Sequence, residues 1–215
     1  MIDFEKLKEE QLKLAKKVIL KDSFERLELI AGADTAYIQN EVVAAIVVCD
    51  YKTMETKEKV FSSSKATVPY VPGFLAYREG AALSDAFAKL KNNPDVVIFD
   101  GNGVLHPRGC GLASHMGILL DRCSIGVAKN LLLGEVKGNR IYIGKEARGR
   151  LVVTKERSKP VYVSPGHKMS LSTSVEIVKQ CIRPPHKLPE PLHLAHRYAN
   201  GIVDKIAKGE LKAGA

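Results

Sequence analysis

The chain has 215 residues, 45% hydrophobic and 27% charged, the profile of one soluble globular domain with a single large core. Its 33 Lys and Arg against 24 Asp and Glu leave a formal net charge of +9, an excess that favours a polyanionic partner but specifies no sequence preference. No apolar run could span a bilayer, Met1-Ile2-Asp3-Phe4 does not open like a signal peptide, and Cys49, Cys110, Cys123 and Cys181 form no C-x-x-C pair; a cytoplasmic protein with no membrane contact and reduced, buried thiols is expected.

Asp3 to about Ile19 reads as an amphipathic helix, with Phe4, Leu7, Leu14, Ala15 and Val18 on its apolar stripe. Leu27–Ala33 is a predicted strand that runs into Asp34, and Gln39-Asn40-Glu41 a hairpin turn. Val42–Cys49 is a nearly continuous β-branched and small apolar run, as in a strand buried on both faces, and a more polar strand follows over Thr56–Ser62. Pro69-Tyr70-Val71-Pro72-Gly73 breaks regular structure before a helix from Phe74 to about Lys91. Strand Asp95–Phe99, helix Gly111–Leu120 and strand Ser124–Ala128 then alternate, which argues for parallel pairing. Strands are expected at Arg140–Ile143, Leu151–Thr154 and Val161–Val163, and helices at Ser172–Ile182 and Leu192–Ala207. Pro184-Pro185 stops the first of these helices. With no repeat or linker, residues 1–215 read as one mixed-sheet α/β domain. Three antiparallel strands followed by helix–strand–helix–strand is also the order of the ribonuclease H-like fold.

Three acidic residues stand where apolar ones are expected. Asp34 follows the run Leu29-Ile30-Ala31-Gly32-Ala33, and Asp100 follows Val96-Val97-Ile98-Phe99. Sites in α/β sheets form at the carboxyl ends of parallel strands, so the two could converge; taken singly, each reads first as a loop cap. Glu79 shifts that balance, because it falls between Leu75 and Leu83 on the apolar stripe of its helix. A carboxylate facing a sheet must be paired, protonated or bound to metal. Hard oxygen ligands without a cysteine or histidine cluster suit Mg²⁺, with Mn²⁺ as a substitute, and such a site serves in-line attack on a phosphodiester. His196 repeats the pattern on the last helix, on the stripe of Leu192, Ala199, Val203 and Ile206, where a lone histidine is more often a hydrogen-bonded core residue.

Five segments, in order, give the chain a resemblance to the endonuclease V family: Ala31-Gly32-Ala33-Asp34-Thr35-Ala36-Tyr37; Pro69-Tyr70-Val71-Pro72-Gly73-Phe74-Leu75-Ala76-Tyr77-Arg78-Glu79; Asp100-Gly101-Asn102-Gly103 through His106-Pro107-Arg108-Gly109; Gly126-Val127-Ala128-Lys129; and Leu194-Ala195-His196. The resemblance implies a ribonuclease H-like fold in which Asp34 and Asp100 bind the metal and Glu79 supports the water held there. Lys129 contacts the scissile region, and His196 assists at a second metal position or the leaving group. It also implies cleavage of DNA at the second phosphodiester bond 3′ to deoxyinosine, leaving a 3′-hydroxyl and a 5′-phosphate, as a step in DNA repair.

In that setting Pro69 and Pro72 stiffen a segment whose Tyr70 stacks in the gap left by a displaced base. Gly101 and Gly103 allow close backbone approach to the flipped hypoxanthine, with Gly73 on the opposite wall, although tight turns explain the same glycines. The dinucleotide glycine pattern fails, because His106 stands where its third glycine belongs. His106 and Arg108 read as phosphate contacts. The family often has phenylalanine at the position of Tyr77 and arginine at that of His193. Other readings are an endoribonuclease for inosine-containing RNA, a catalytically silent nucleic-acid binder, and a Rossmann-like transferase, which the antiparallel opening disfavours. A monomer is expected.

Overall fold

The computed structural model describes residues 2–155 and 158–212. Among these residues nine strands form one sheet. The first three, β1 (Leu29–Ile38), β2 (Glu41–Asp50) and β3 (Thr56–Lys65), make an antiparallel meander. Next, β4 (Val96–Asp100) lies parallel to β1, and β5 (Cys123–Ala128) parallel to β4. The sheet then turns antiparallel through β9 (Val161–His167), β8 (Glu146–Val152), β7 (Arg140–Ile143) and β6 (Glu135–Lys137), for a spatial order of β3-β2-β1-β4-β5-β9-β8-β7-β6. This is the expected mixed sheet, with the parallel strands at its centre.

Helices cover both faces, and the side-chain alternation of each strand decides which core a residue joins. Ile30, Val47, Val96, Ile98, Ile125 and Val127 pack with α4 (Leu171–Gln180) and α5 (Glu190–Ala207). Their neighbours Ala31, Val48, Val97 and Phe99 pack on the other face with α2 (Leu75–Ala88) and α3 (Leu112–Leu119). All eight residues Val42–Cys49 of β2 are buried, as their uninterrupted apolar run requires.

Some boundaries move. The first helix, α1, covers Phe4–Ala15, shorter than the amphipathic pattern suggests, and begins at Asp3, whose carboxylate accepts the Lys6 N–H at 3.1 Å. Its one fully buried residue is Gln11, at 1% exposure, not a member of the apolar stripe. Strand β1 does not stop before Asp34. Pairing with β2 carries it to Ile38, and only the pairing with β4 ends at Ala33 beside Phe99. Strand β8 begins at Glu146 rather than Leu151, and β6 was not foreseen; both belong to a hairpin whose polar composition hides the strand period. Helix α4 ends at Gln180, four residues before the Pro184-Pro185 pair expected to stop it. All four cysteines are buried and unpaired.

Candidate active site

Asp34 lies one residue beyond the Ala33–Phe99 pairing, and Asp100 is the last residue of β4, so both stand at the carboxyl end of the parallel strands. By alternation both point to the α5 face. Gly32 is what lets α5 sit there: a Cβ at this position would come within 2.2 Å of the Pro191 backbone, so the helix start rests directly on β1. From Pro191 to His196 the helix rises ~7.5 Å, and from Gly32 to Asp34 the strand rises ~6.8 Å. The two advances match, and His196 arrives over Asp34, with Nδ1 at 2.6 Å from Oδ2. The second carboxylate oxygen, Oδ1, accepts the Thr35 N–H at 2.8 Å.

Lys129, just past β5, places Nζ at 2.5 Å from the Asp100 carboxylate. Burial, then the charge of Asp100, pushes the Asp34 pKa up to about 6, although the His196 hydrogen bond works the other way. Burial opposes the Lys129 charge, but Asp100 and Asp34 outweigh it and hold its pKa above the usual value. Asp34, Asp100 and His196 each offer a ligand atom within 4.8 Å of the others, and among the described residues no other such group of His, Cys, Asp or Glu exists. Ligands around one Mg²⁺ at ~2.1 Å are separated by at most ~4.2 Å, so small side-chain movements bring this set onto a single ion. Two carboxylates that repel each other in a buried site fit a divalent cation.

Glu79 reaches the same region from the opposite face. It is 4% exposed on α2 among Ala76, Ala82, Leu83 and Ala86. Its carboxylate accepts the Tyr37 hydroxyl, and the Thr35 hydroxyl also bonds to it. Thr35 and Tyr37 alternate with Asp34 along β1, so one strand serves the carboxylate groups on both sides. Burial pushes the Glu79 pKa up to about 7; the Tyr37 and Thr35 hydrogen bonds lower it, and Asp34 and Asp100 raise it further.

A cleft of about 470 Å³, counting its open mouth, opens beside the proline–tyrosine segment. Tyr70 stands at its rim, 70% exposed, with Pro72 and Gly73 along the wall. Gly73 has φ +84°, a conformation that side chains strain to adopt, and its carbonyl takes three donors. These are Gln11 Nε2 at 3.1 Å, Arg108 Nη2 at 2.7 Å, and His106 Nε2 at 3.1 Å. Arg108 also donates Nε to Gln11 Oε1 at 2.5 Å and stacks on the Phe74 ring at 4.4 Å. Burial, and then the Arg108 charge, push the His106 pKa down to about 4, so the ring is neutral at pH 7. His106 and Arg108 therefore face inward and set the wall of the cleft, where the sequence suggested phosphate contacts.

Gly101 and Gly103 lie behind the cleft lining. A Cβ on Gly103 would meet the Pro165 carbonyl at 2.0 Å, so the strand behind it, not a ligand, requires glycine there. Pro69 is exposed outside the lining. Sequence reasoning gave no role to Gln11, Asn102, Leu112 or Leu132, all of which line the cleft. Asn102 Oδ1 is buried with no partner.

The family model described as Endonuclease V matches residues 12–197. The chain belongs to the endonuclease V family. A relative from Dictyoglomus thermophilum, named Endonuclease V, is 43% identical over 94% of this chain and 91% of its own. The crystal structure of Endonuclease V from Bacillus subtilis superposes with a TM-score of 0.89 at 32% identity, covering 97% of this chain and 95% of that one. Endonuclease V from Ciona intestinalis, solved with a 24mer DNA containing an inosine followed by a ribo-adenosine, has a TM-score of 0.86 at 30% identity, over 94% and 98% of the two chains. The fold is thus the ribonuclease H-like one of endonuclease V. Among the described residues no helix is long and apolar enough to cross a membrane.

Proposed function

We propose that this chain is a Mg²⁺-dependent endonuclease of DNA repair that hydrolyses the second phosphodiester bond 3′ to a deoxyinosine, with Mn²⁺ able to replace Mg²⁺. The observation that carries the reading is the convergence of Asp34, Asp100 and His196 on one point, with a cleft lined by Tyr70, Pro72, Gly73 and Asn102 on the neighbouring loops. Asp34 and Asp100 would hold the metal. When bound, the ion supplies positive charge that neutralises both carboxylates and polarises the scissile phosphate. Glu79, with its pKa near 7, takes a proton from the attacking water as the new bond to phosphorus forms. The bond from phosphorus to the 3′ oxygen breaks; His196 returns a proton to that oxygen, leaving a 3′-hydroxyl and a 5′-phosphate. Lys129 faces the charge that builds on the phosphate.

Tyr70 stacks where the displaced base stood, supported by Pro69 and Pro72, and the base enters the cleft whose wall His106 and Arg108 set through Gly73. The unpartnered Asn102 Oδ1 is an acceptor suited to the N1–H that hypoxanthine carries and adenine lacks. The inosine-containing DNA held by the Ciona intestinalis relative supports this substrate. The ribo-adenosine after that inosine favours a second reading, in which the substrate is inosine-containing RNA.

Matched DNA and RNA strands carrying one inosine, incubated with Mg²⁺ and with EDTA, test both. A cut at the second bond 3′ to inosine, absent in EDTA and in Asp34→Asn, is the expected result, and the strand cut faster gives the sugar preference. Tight binding with no cut on either strand would leave a silent binder.

A further inference from the structure

One level of the sheet links the catalytic carboxylates to a row of cations. Asp100 is level with Val127, Val127 with Val163, and Val163 with Arg150. Across the last two strands Arg150 is level with Arg140, and Arg140 with Lys137. Residues level on adjacent strands share a face, so the three cations stand on the face of the sheet that carries Asp100 and Asp34. Lys129, two residues beyond Val127, is on that face as well. At ~4.8 Å per strand, Arg150 is ~14 Å from Asp100, Arg140 ~19 Å and Lys137 ~24 Å.

Like charges directly opposite on neighbouring strands destabilise a sheet, and Arg140 faces Arg150 in this way. Among the described residues neither arginine has an ion pair or a hydrogen-bonded side-chain partner. Their neighbours differ: Arg148 is paired with Glu146 at 2.8 Å, and Lys137 with Glu135 at 3.1 Å in an exposed pair that solvent weakens. A hairpin that opposes two unpaired arginines gives up stability unless a polyanion lies against it.

We infer that Arg150 and Arg140, with Lys137 beyond them, bind the phosphodiester backbone of the substrate strand outside the cleft, continuing a track that starts at Lys129. The inference rests on the nuclease reading and adds a surface on the β6–β8 hairpin that holds the strand without reading its bases. The arginines position the strand; the cleft selects the lesion.

The test uses the full chain in EDTA, so that nothing is cut, and follows binding to labelled strands with and without inosine between 50 and 200 mM salt. Arg140→Gln and Arg150→Gln should each reduce the steepness of log K against log salt, by about 0.7 on single strands and about 0.9 on duplex. The ratio of affinities for inosine and adenine strands should stay as in the wild type. Shortening the strand from its ends should bring the wild type and the double variant together once the outlying phosphates are gone. An unchanged salt slope in the double variant overturns the inference, and so does a loss confined to inosine-containing strands. A wild type that shows no inosine preference and no Mg²⁺-dependent cut would instead defeat the nuclease reading, and the salt slopes would still report on the arginines.

Discussion

Glu79→Gln should stabilise the metal-free protein at alkaline pH and have little effect in acid. Below about pH 4.5 Glu79 carries its proton in both the folded and the unfolded chain, so exchanging carboxyl for amide changes little. As the pH rises, the unfolded chain releases the proton first, because the folded pKa is raised to about 7. Between these values the folded state binds more protons, and stability falls with pH until the folded-state carboxyl has also ionised. A rise of roughly 2.5 units at ~1.4 kcal/mol each gives a loss of ~3 kcal/mol, complete by about pH 8. For a domain of this size that is a melting shift of roughly 6–12 °C. Buried histidines such as His106, with a lowered pKa, gain stability over part of the same range, but they are common to both proteins and cancel in the difference. The assay is thermal unfolding of wild type and Glu79→Gln in EDTA at pH 4.5 and pH 8. The gap should open from near zero to ~3 kcal/mol, and saturating Mg²⁺ should narrow it at pH 8 by offsetting the buried charge. Equal gaps at the two pH values would show that Glu79 does not carry a strained buried charge, and its role as proton acceptor would go with it.

Tyr70→Ala should weaken binding to inosine strands by about 1–3 kcal/mol, the value of one aromatic stack, and leave binding to undamaged strands nearly unchanged; equal losses on both strands in a binding titration would remove the stacking role. Gln11→Ala leaves Arg108 Nε and the Cys110 carbonyl each short of a partner, and should cost about 1–3 kcal/mol in chemical denaturation. The same variant should raise KM for inosine strands more than it lowers kcat, since it loosens the wall of the cleft and not the metal site. Gly103→Ala drives a methyl into the Pro165 carbonyl and should cost on the order of 3 kcal/mol; a variant that melts like the wild type would show that the β4–α3 loop yields freely.

The central strands were legible because burial on two faces leaves only one kind of sequence. Val42–Cys49 and Val96–Phe99 are apolar at every position, and short runs rich in β-branched residues favour a strand buried on both faces over a helix segment. The β6–β8 hairpin was only partly legible for the opposite reason. Its residues are half solvated, its like charges oppose each other, and a register shift between Ile141 and Tyr142 breaks the two-residue period on which a strand reading depends. The end of β1 was misplaced because a polar Asp34 looks like a strand end in one dimension. In the sheet it lies just past the end of one pairing, with β4, while pairing with β2 continues for four more residues.

The site shows how far a polar residue on an apolar stripe can be read. Glu79 and His196 stand out by helical spacing, and both are at the site; Gln11 has the same spacing from Leu7 and Ala15, but a neutral amide there carries a weaker signal than a charge. What separates the three is what waits opposite them. Gln11 meets two carbonyls and a guanidinium, and its amide satisfies all three, so its burial is complete and its work is structural. His196 meets a carboxylate through one nitrogen and stays partly exposed. Glu79 meets two hydroxyls on one side and the field of two aspartates on the other, and among the described residues it forms no ion pair. A stripe in the sequence reveals that a polar group is buried. Only the opposing element shows whether the fold has satisfied that group or left it in want of a proton or a cation, and the second condition is the one that catalysis uses.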